Sequence, residues 1–543
     1  MNGETILHQP SSRIPWLQLF ILMGGAFMAF LDTSIVNVAI PKLMAIFGVG
    51  VDSIQWVTTG YLLSAGVTIP VTGYFGDRLG IKNIFLISLG IFTLGSALCS
   101  VASSENFLIA ARVIQAIGGG AIMPVTTAYT YQIVTRDKIG VALGTRGIAM
   151  AAAPAFGPVL GGYLIDHFDW HIIFTINVPI GILIILLGMM VLPRIPTHAK
   201  PRLDIPGMVL IVAGAFSVLL GLSRGQSVGW HTLSIVATLT VGVFALIIFI
   251  LWELTTDHPI IDLRVFKGNP VLAASFAGTF MVTIALYAGI FLVPIFTQQI
   301  MGFTPFQTGL LMAPAAIVMG IFSPISGRLF DRFGAVPLVL AGIVITSVTT
   351  FQLSHLGLDT SYHTLQIWYM ERSAGFALFM LPMTAIGLNT VPRHLMNRVT
   401  SLNSLVRQLS GSLGIAYITY LYNRQQLVYG AMYGEKITAT SPPVSGFIHG
   451  VSGYLLSHSL LGSAFIRPLA LAALQRAVAN QATAMAIDYT MIFAAIIIIC
   501  VLPVVFFLRR PKNVPAGPAG PQGAGPGPPG NTTPPGQSAP AAR

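Results

Sequence analysis

GYFGDRLGIK, residues 73–82, returns 254 positions later as GRLFDRFGAV, residues 327–336, and the two stretches share the pattern G-x-x-x-D-R-x-G. A pattern repeated at that distance means that one structural unit occurs twice in the chain. Other residues keep nearly the same offset: Pro41 with Pro294, Arg112 with Arg372 and Arg146 with Arg407. Each pair falls on the same ordinal helix of its half, so the first six helices correspond to the last six.

The solvent of those helices follows from composition. Of 543 residues, 54% are hydrophobic and 8% charged, against ~25% charged in soluble domains. A helix crosses the hydrocarbon with ~20 mainly apolar residues, because every backbone polar group must be satisfied within the segment. Runs of that kind lie near 16–40, 55–74, 84–103, 107–134, 142–165, 172–192, 205–222, 233–252, 271–294, 309–327, 337–354, 365–391, 404–422 and 489–508. The expected fold is therefore an all-α membrane protein of fourteen transmembrane helices. Residues 16–192 and 271–510 form two pseudo-symmetric six-helix bundles, and two inserted helices lie within 193–270. Residues 1–15 form a short N-terminal segment and 423–488 a long outer loop with some interfacial helix. Residues 511–543, rich in Gly and Pro without a sustained triplet, read as a disordered tail.

The formal charge of +11 is scattered singly or in pairs between apolar runs and builds no basic face for nucleic acid. It reads as topology. Fifteen basic residues, among them Arg78, Lys82, Arg136, Lys138, Arg328 and Arg332, fall on the short loops and helix edges of one side, against Lys42 and Arg224 on the other. That asymmetry puts the basic side and both termini in the cytoplasm. The first run is too long for a cleaved signal peptide and is read as retained. Cys99 and Cys500 lie in apolar runs, where a thiol packs as a small hydrophobe.

No H-E-x-x-H, C-x-x-C, G-x-S-x-G or phosphate loop occurs, so neither an enzyme nor a nucleotide-driven pump is expected. His355, Asp359 and His363 have a metal-like spacing, but Gly357 and the loop setting argue against one helix presenting all three; no metal is expected. Asp166, His167, Asp169 and His171 cluster at an outer helix end, as a pH-sensitive gate or as polar residues meeting water.

Polar residues inside apolar runs carry the functional reading. Asp32 sits in the first run, where a charge costs ~2.5 to 3.5 kcal/mol on insertion scales. It should face a cavity, as a proton carrier or as a structural contact. A carboxyl that alternates between dry and ion-paired surroundings takes up and gives back a proton. Arg112, early in the fourth run, lies in the same outer half of the membrane, as its partner or as a snorkelling interfacial residue. Glu371, beside Arg372, occupies the matching place in the twelfth, as a second proton or cation site or as an interfacial residue. In the repeated motif Asp77 and Arg78, with Gly73 and Gly80, can bond helix ends and the opposite half as a gate, which Asp331 and Arg332 repeat. A solvated pair worth ~0 to 1 kcal/mol is the alternative. Gly157, Pro158, Gly161 and Gly162 put small residues and a kink on one stretch of the fifth run, permitting close helix approach.

Four motifs in order, LDTSIVNVAIP (31–41), GYFGDRLGIK (73–82), ARVIQAIGGGAIMP (111–124) and APAFGPVLGG (153–162), resemble the major facilitator superfamily, specifically its fourteen-helix drug:proton antiporters of the EmrB/QacA type. The likeness covers roughly residues 14–511. FDWHIIFTINVPIG (168–181) is similar to a further family segment, with His171 where an Arg is usual. The resemblance implies export of small amphiphilic molecules by alternating access in a bacterial cytoplasmic membrane, driven by the proton gradient without a cofactor. It implies that Arg112 takes part in proton transfer and that the span-five glycines form an antiporter signature. EmrB-like members work with a periplasmic adaptor and an outer-membrane channel, whereas QacA-like members act alone; both remain open. A facilitator or importer of a metabolite or lipid is the rival, and Asp32 together with the span-five glycines weighs against it.

Overall fold

A computed structural model describes residues 14–195, 204–436, 442–458 and 463–508. Helices occupy every expected run: α1 (Trp16–Phe47), α2 (Trp56–Leu79), α3 (Ile81–Cys99), α4 (Glu105–Ile133), α5 (Ile139–His167), α6 (Asn177–Val191), α7 (Ile205–Val228), α8 (Leu233–Thr255), α9 (Pro270–Ile295), α10 (Pro305–Phe333), α11 (Ala335–Gln352), α12 (Tyr362–Leu388), α13 (Met396–Lys436) and α14 (Ser463–Ile499). No strand occurs among the described residues. Ten of these segments are long and apolar enough to cross a membrane, or up to eleven if the bent pair formed by α12 and α13 is one span. The four outside the ten are α2, α5, α12 and α13. For them, the fourteen-crossing count stays an expectation.

The two halves pack alike. Helix α1 lies on α5, α2 and α3 on α4, and α3 on α6; correspondingly α9 lies on α13, α10 and α11 on α12, and α11 on α14. Two seams join the halves, α5 against α10 and α2 against α13. The inserted α7 and α8 pack on each other, and α7 rests on both α2 and α13.

Small residues set these crossings. A Cβ on Gly118 would lie 2.3 Å from the Ser88 carbonyl oxygen, and one on Gly95 2.4 Å from the Gln115 Cα. Only glycine lets α3 and α4 touch backbone to backbone there, and the second contact fixes Gln115 in the bundle.

The stretch expected as a long outer loop, 423–488, is largely helical instead. Helix α13 continues to Lys436, a separate helix covers Pro442–His458, and α14 already starts at Ser463. Ala and Leu are the commonest residues there, and these are strong helix formers whether or not lipid surrounds them. Polarity ended the expected span; it does not end a helix. Segment 1–13 and the tail, including the stretch expected to be disordered, lie outside the described residues.

Candidate functional site

Helix α1 carries Asp32 with no exposed surface. Its Oδ2 accepts from Arg112 Nη1 at 2.5 Å, and its Oδ1 accepts from Gln115 Nε2 and Asn177 Nδ2, each at 2.9 Å. Arg112 and Gln115 lie three residues apart on α4 and so share one face, while Asn177 opens α6. Arg112 also donates to Gln115 Oε1 at 2.6 Å and to the Val57 carbonyl at 3.4 Å. Its guanidinium lies 4.2 Å from the Tyr61 ring centroid. Gln115 passes its remaining amide hydrogen to Ser96 Oγ at 2.7 Å. A dry ion pair of this kind persists because further hydrogen bonds surround it; removing one partner of such a pair typically costs ~3–5 kcal/mol.

The sequence brought Asp32 and Arg112 forward but missed Gln115 and Asn177. The available signal was the three-residue spacing within ARVIQ and an amide standing alone in the apolar FTINVPIG.

The second half lacks this acid. By the Pro41–Pro294 spacing, Asp32 corresponds to Ala285, and Arg372 donates from Nη2 to the Ala285 carbonyl at 2.7 Å. Its Nε donates to Thr350 Oγ1 at 3.2 Å, and its guanidinium faces Phe376 at 4.6 Å. Glu371 is exposed on the outside of α12, one residue along and pointing elsewhere. The structure therefore does not bring Glu371 to the buried arginine, and its expected part as a second proton site has no geometry behind it.

Span-five glycines meet α1 beside the acid. A Cβ on Gly157 would fall 2.2 Å from Ser34 Oγ, and one on Gly161 3.2 Å from Ile35 Cγ2, whereas Gly162 faces open space. Two of the motif glycines thus press α5 onto the turn that follows Asp32. Pro158 lies within the unbroken α5.

At the opposite end the repeated motif acts twice, across both seams. Asp77 Oδ1 accepts from Asn397 Nδ2 at 2.8 Å and Oδ2 from Arg398 Nε at 2.7 Å. Asp331 accepts from the backbone N–H of Gly140 at 2.9 Å and of Val141 at 3.0 Å. Asn397 and Arg398 are the second and third residues of α13, and Gly140 and Val141 those of α5. Each aspartate therefore binds the first turn of the fifth helix of the other half, where unpaired N–H groups and the helix dipole favour a negative charge. Gln132 to Asn397 and Arg136 to the Val391 carbonyl, at 2.8 and 2.9 Å, add to the same end.

The remaining motif positions have separate tasks. A Cβ on Gly73 would lie 2.8 Å from the Arg398 Cα, and one on Gly327 2.1 Å from the Gly140 carbonyl oxygen. The first glycine of each copy lets the seam close. Gly80 and Gly334, at φ +86° and +80°, turn the chain in a conformation that L side chains rarely adopt. Arg78 and Arg332 do not cross the seam as expected: Arg78 donates to Tyr74 at 2.8 Å on its own helix, and Arg332 lies over Phe333. One residue on from the aspartate and so on a different face of the helix, their long side chains reach the surface, where snorkelling is cheaper than burial.

At the far end of the first half, Asp169 pairs with His171, which stacks on Trp170 and whose Nε2 lies 3.0 Å from the Ala102 carbonyl. The His171 backbone N–H, and then its ring, hold the Asp169 carboxyl below its ordinary range. Among the described residues no three His, Cys, Asp or Glu side chains gather where a metal could sit.

Duplicated helical bundles with a caged acid at one end and paired seam contacts at the other define a multi-pass membrane transporter. The sequence profile of the Major Facilitator Superfamily matches residues 22–415. The chain belongs to that superfamily and is a transporter, not an enzyme. It is 38% identical over 441 residues to the uncharacterized MFS-type transporter YhcA of Bacillus subtilis, covering 81% of this chain and 82% of that one. It is 32% identical over 432 residues to the probable multidrug resistance protein EmrY of Escherichia coli, covering 78% and 83%. Its fold is similar to that of the human organic anion transporter MFSD10, with a TM-score of 0.60 at 14% identity over 92% of this chain and all of that one.

Proposed function

We propose that the chain exports small amphiphilic molecules in exchange for protons, by alternating access, across a bacterial cytoplasmic membrane with both termini inside. The observation that carries this reading is the Asp32 cage. An acid held by Arg112, Gln115 and Asn177, from α4 and α6, loses or gains its proton only if those helices move. The seam contacts of Asp77 and Asp331 lie at the other end of the same bundles, so the movement that uncovers the acid is mechanically tied to the state of the gate. The multidrug-resistance relative supports a drug-like cargo, and the charge asymmetry supports the orientation.

Everted vesicles holding a pH gradient test it directly. Addition of a transported amphiphile collapses the gradient in vesicles that contain the protein and not in vesicles without it. A compound carried at a rate indifferent to the gradient would replace antiport with facilitated transport.

The gate has its own prediction. Asp77→Asn keeps an acceptor for Asn397 and loses the charge facing Arg398. Charge-assisted bonds of this kind are worth ~1.5–3 kcal/mol, so the inner-open population should rise about tenfold. Turnover falls several-fold while ligand affinity changes little. Spin-label distances between the halves measure the shift, and an unchanged distribution removes Asp77 from the gate.

A further inference from the structure

The inserted pair α7 and α8 is not a passive spacer. Helix α7 rests on α2 from one half and α13 from the other, so the pair straddles the α2–α13 seam. Ile211 and Ala215 of α7, Phe249 of α8, Ile69 and Tyr74 of α2, and Leu405 of α13 share one buried cluster with Ile260 and Ile261 from the turn after α8. The α5–α10 seam has no such cover among the described residues.

One carboxylate organises that turn. Glu253, in the last turn of α8, is wholly buried and makes no ion pair among the described residues. Its two oxygens accept from the backbone N–H groups of Ile260 and Ile261 at 3.2 and 3.4 Å. Those bonds fold the chain back so that the carbonyl of the preceding Pro259 accepts from Arg398 Nη1 at 2.7 Å. The same Arg398 donates from Nε to Asp77. Asp204, capping α7, accepts from the Gly207 N–H at 3.0 Å and from the Trp252 indole at 2.9 Å, which ties the start of α7 to the end of α8. A continuous chain of hydrogen bonds therefore runs from the insertion to one gate aspartate; Asp331, across the other seam, accepts from the backbone N–H groups of Gly140 and Val141.

We propose that the inserted hairpin is a strap over the α2–α13 seam, and that Glu253 is the positioning residue through which it aims Arg398 at Asp77. This rests on the alternating-access reading above. Glu253 touches no cargo; it acts by fixing the Ile260–Ile261 turn. A buried carboxylate with no ion pair among the described residues is costly to keep, and the backbone N–H groups it satisfies belong to the segment that holds the gate arginine.

The test uses the full chain in lipid with Cys99 and Cys500 replaced and spin labels at the exposed Asn83 and His394, one in each half at the inner end. Glu253→Ala leaves two buried N–H groups without partners and should raise the inner-open fraction about tenfold. Glu253→Gln, which keeps one acceptor, should give a smaller shift. In an Asp77→Asn background Glu253→Ala should add little, because both act through Arg398. A wild-type distance distribution in a monodisperse Glu253→Ala protein overturns the proposal. So does a shift of undiminished size in the Asp77→Asn background. Where Glu253→Ala does not fold, the same two comparisons made with Glu253→Gln decide. Distances are read without cargo or gradient, so a protein that moves no proton but shows the coupled shift would reject the export reading and keep the strap.

Discussion

Asp32→Asn is expected to reduce proton-coupled export by about 100-fold or more while the protein still inserts, folds and binds ligand; ~3 kcal/mol of lost ion pairing corresponds to a factor of that size. The acid carries the only negative charge facing Arg112 in an ion pair among the described residues. Asparagine retains an oxygen that, in the Oδ1 place, still accepts from Gln115 and Asn177, so the cage keeps part of its shape and the fold survives. What disappears is the exchangeable proton. The variant resembles the protonated state permanently, and a cycle that must pass through both states stops. Proteoliposomes loaded with a pH-sensitive dye measure the result as cargo-induced proton movement, with ligand binding measured alongside. Normal proton movement in the variant would move the coupling site elsewhere. Gln115→Leu gives the complementary case: it removes the amide that bridges Asp32, Arg112 and Ser96 but keeps the acid. Coupling should weaken without vanishing, because the charge remains and only its alignment is lost.

How much of this could be read from the sequence depends on whether a role is local or assembled. The repeated G-x-x-x-D-R-x-G pattern was legible because it stands twice in the chain and its residue types have narrow uses: a glycine for a close crossing, an aspartate as acceptor at a helix start and a glycine for a left-handed turn. Asp32 and Arg112 were legible because a charge in an apolar run demands a partner. The identity of the full cage was not, since Gln115, on the same helix as Arg112, is fixed by the close approach of α3 at Gly95, and Asn177 comes from a third helix, α6. Glu371 misled for the opposite reason. Adjacent helix residues point in different directions, and burial went to Arg372 while Glu371 turned outward. Glu253 gave no warning because it stands one residue past the apparent end of an apolar run, where an acid ordinarily meets water. Only the folded turn at 259–261 encloses it. The helices within 423–488 were hidden by hydropathy, which reports lipid and not helix.

Gly327→Ala is expected to lock the inner seam open and abolish transport. The added Cβ would stand 2.1 Å from the Gly140 carbonyl oxygen and 2.6 Å from its carbon. Both are backbone atoms at the start of α5, which no rotamer change can move aside. They also adjoin the N–H groups that Asp331 binds, so relieving the clash lengthens the gate contacts as well. Overpacking of a tight contact costs ~1–3 kcal/mol, and loss of the charge-assisted bonds adds to it. The sum tips the balance between closed and open by on the order of 100-fold. Because the penalty falls only on the closed state, the protein should fold, keep its affinity for ligand offered from the inner side and fail to release it outside. Gly73→Ala, at the matching place on the other seam, meets Arg398 Cα at 2.8 Å and the Asn397 carbonyl oxygen at 2.9 Å, and should do the same less severely. Gly162→Ala supplies the control, since its Cβ would meet nothing within 4 Å; it introduces the same methyl group into a helix without touching a seam and should transport as the parent does. Inner-end label distances together with export rates across these three variants rank the effect. If Gly327→Ala exports at the parent rate, the closed crossing of α5 and α10 is not a state through which the transporter passes.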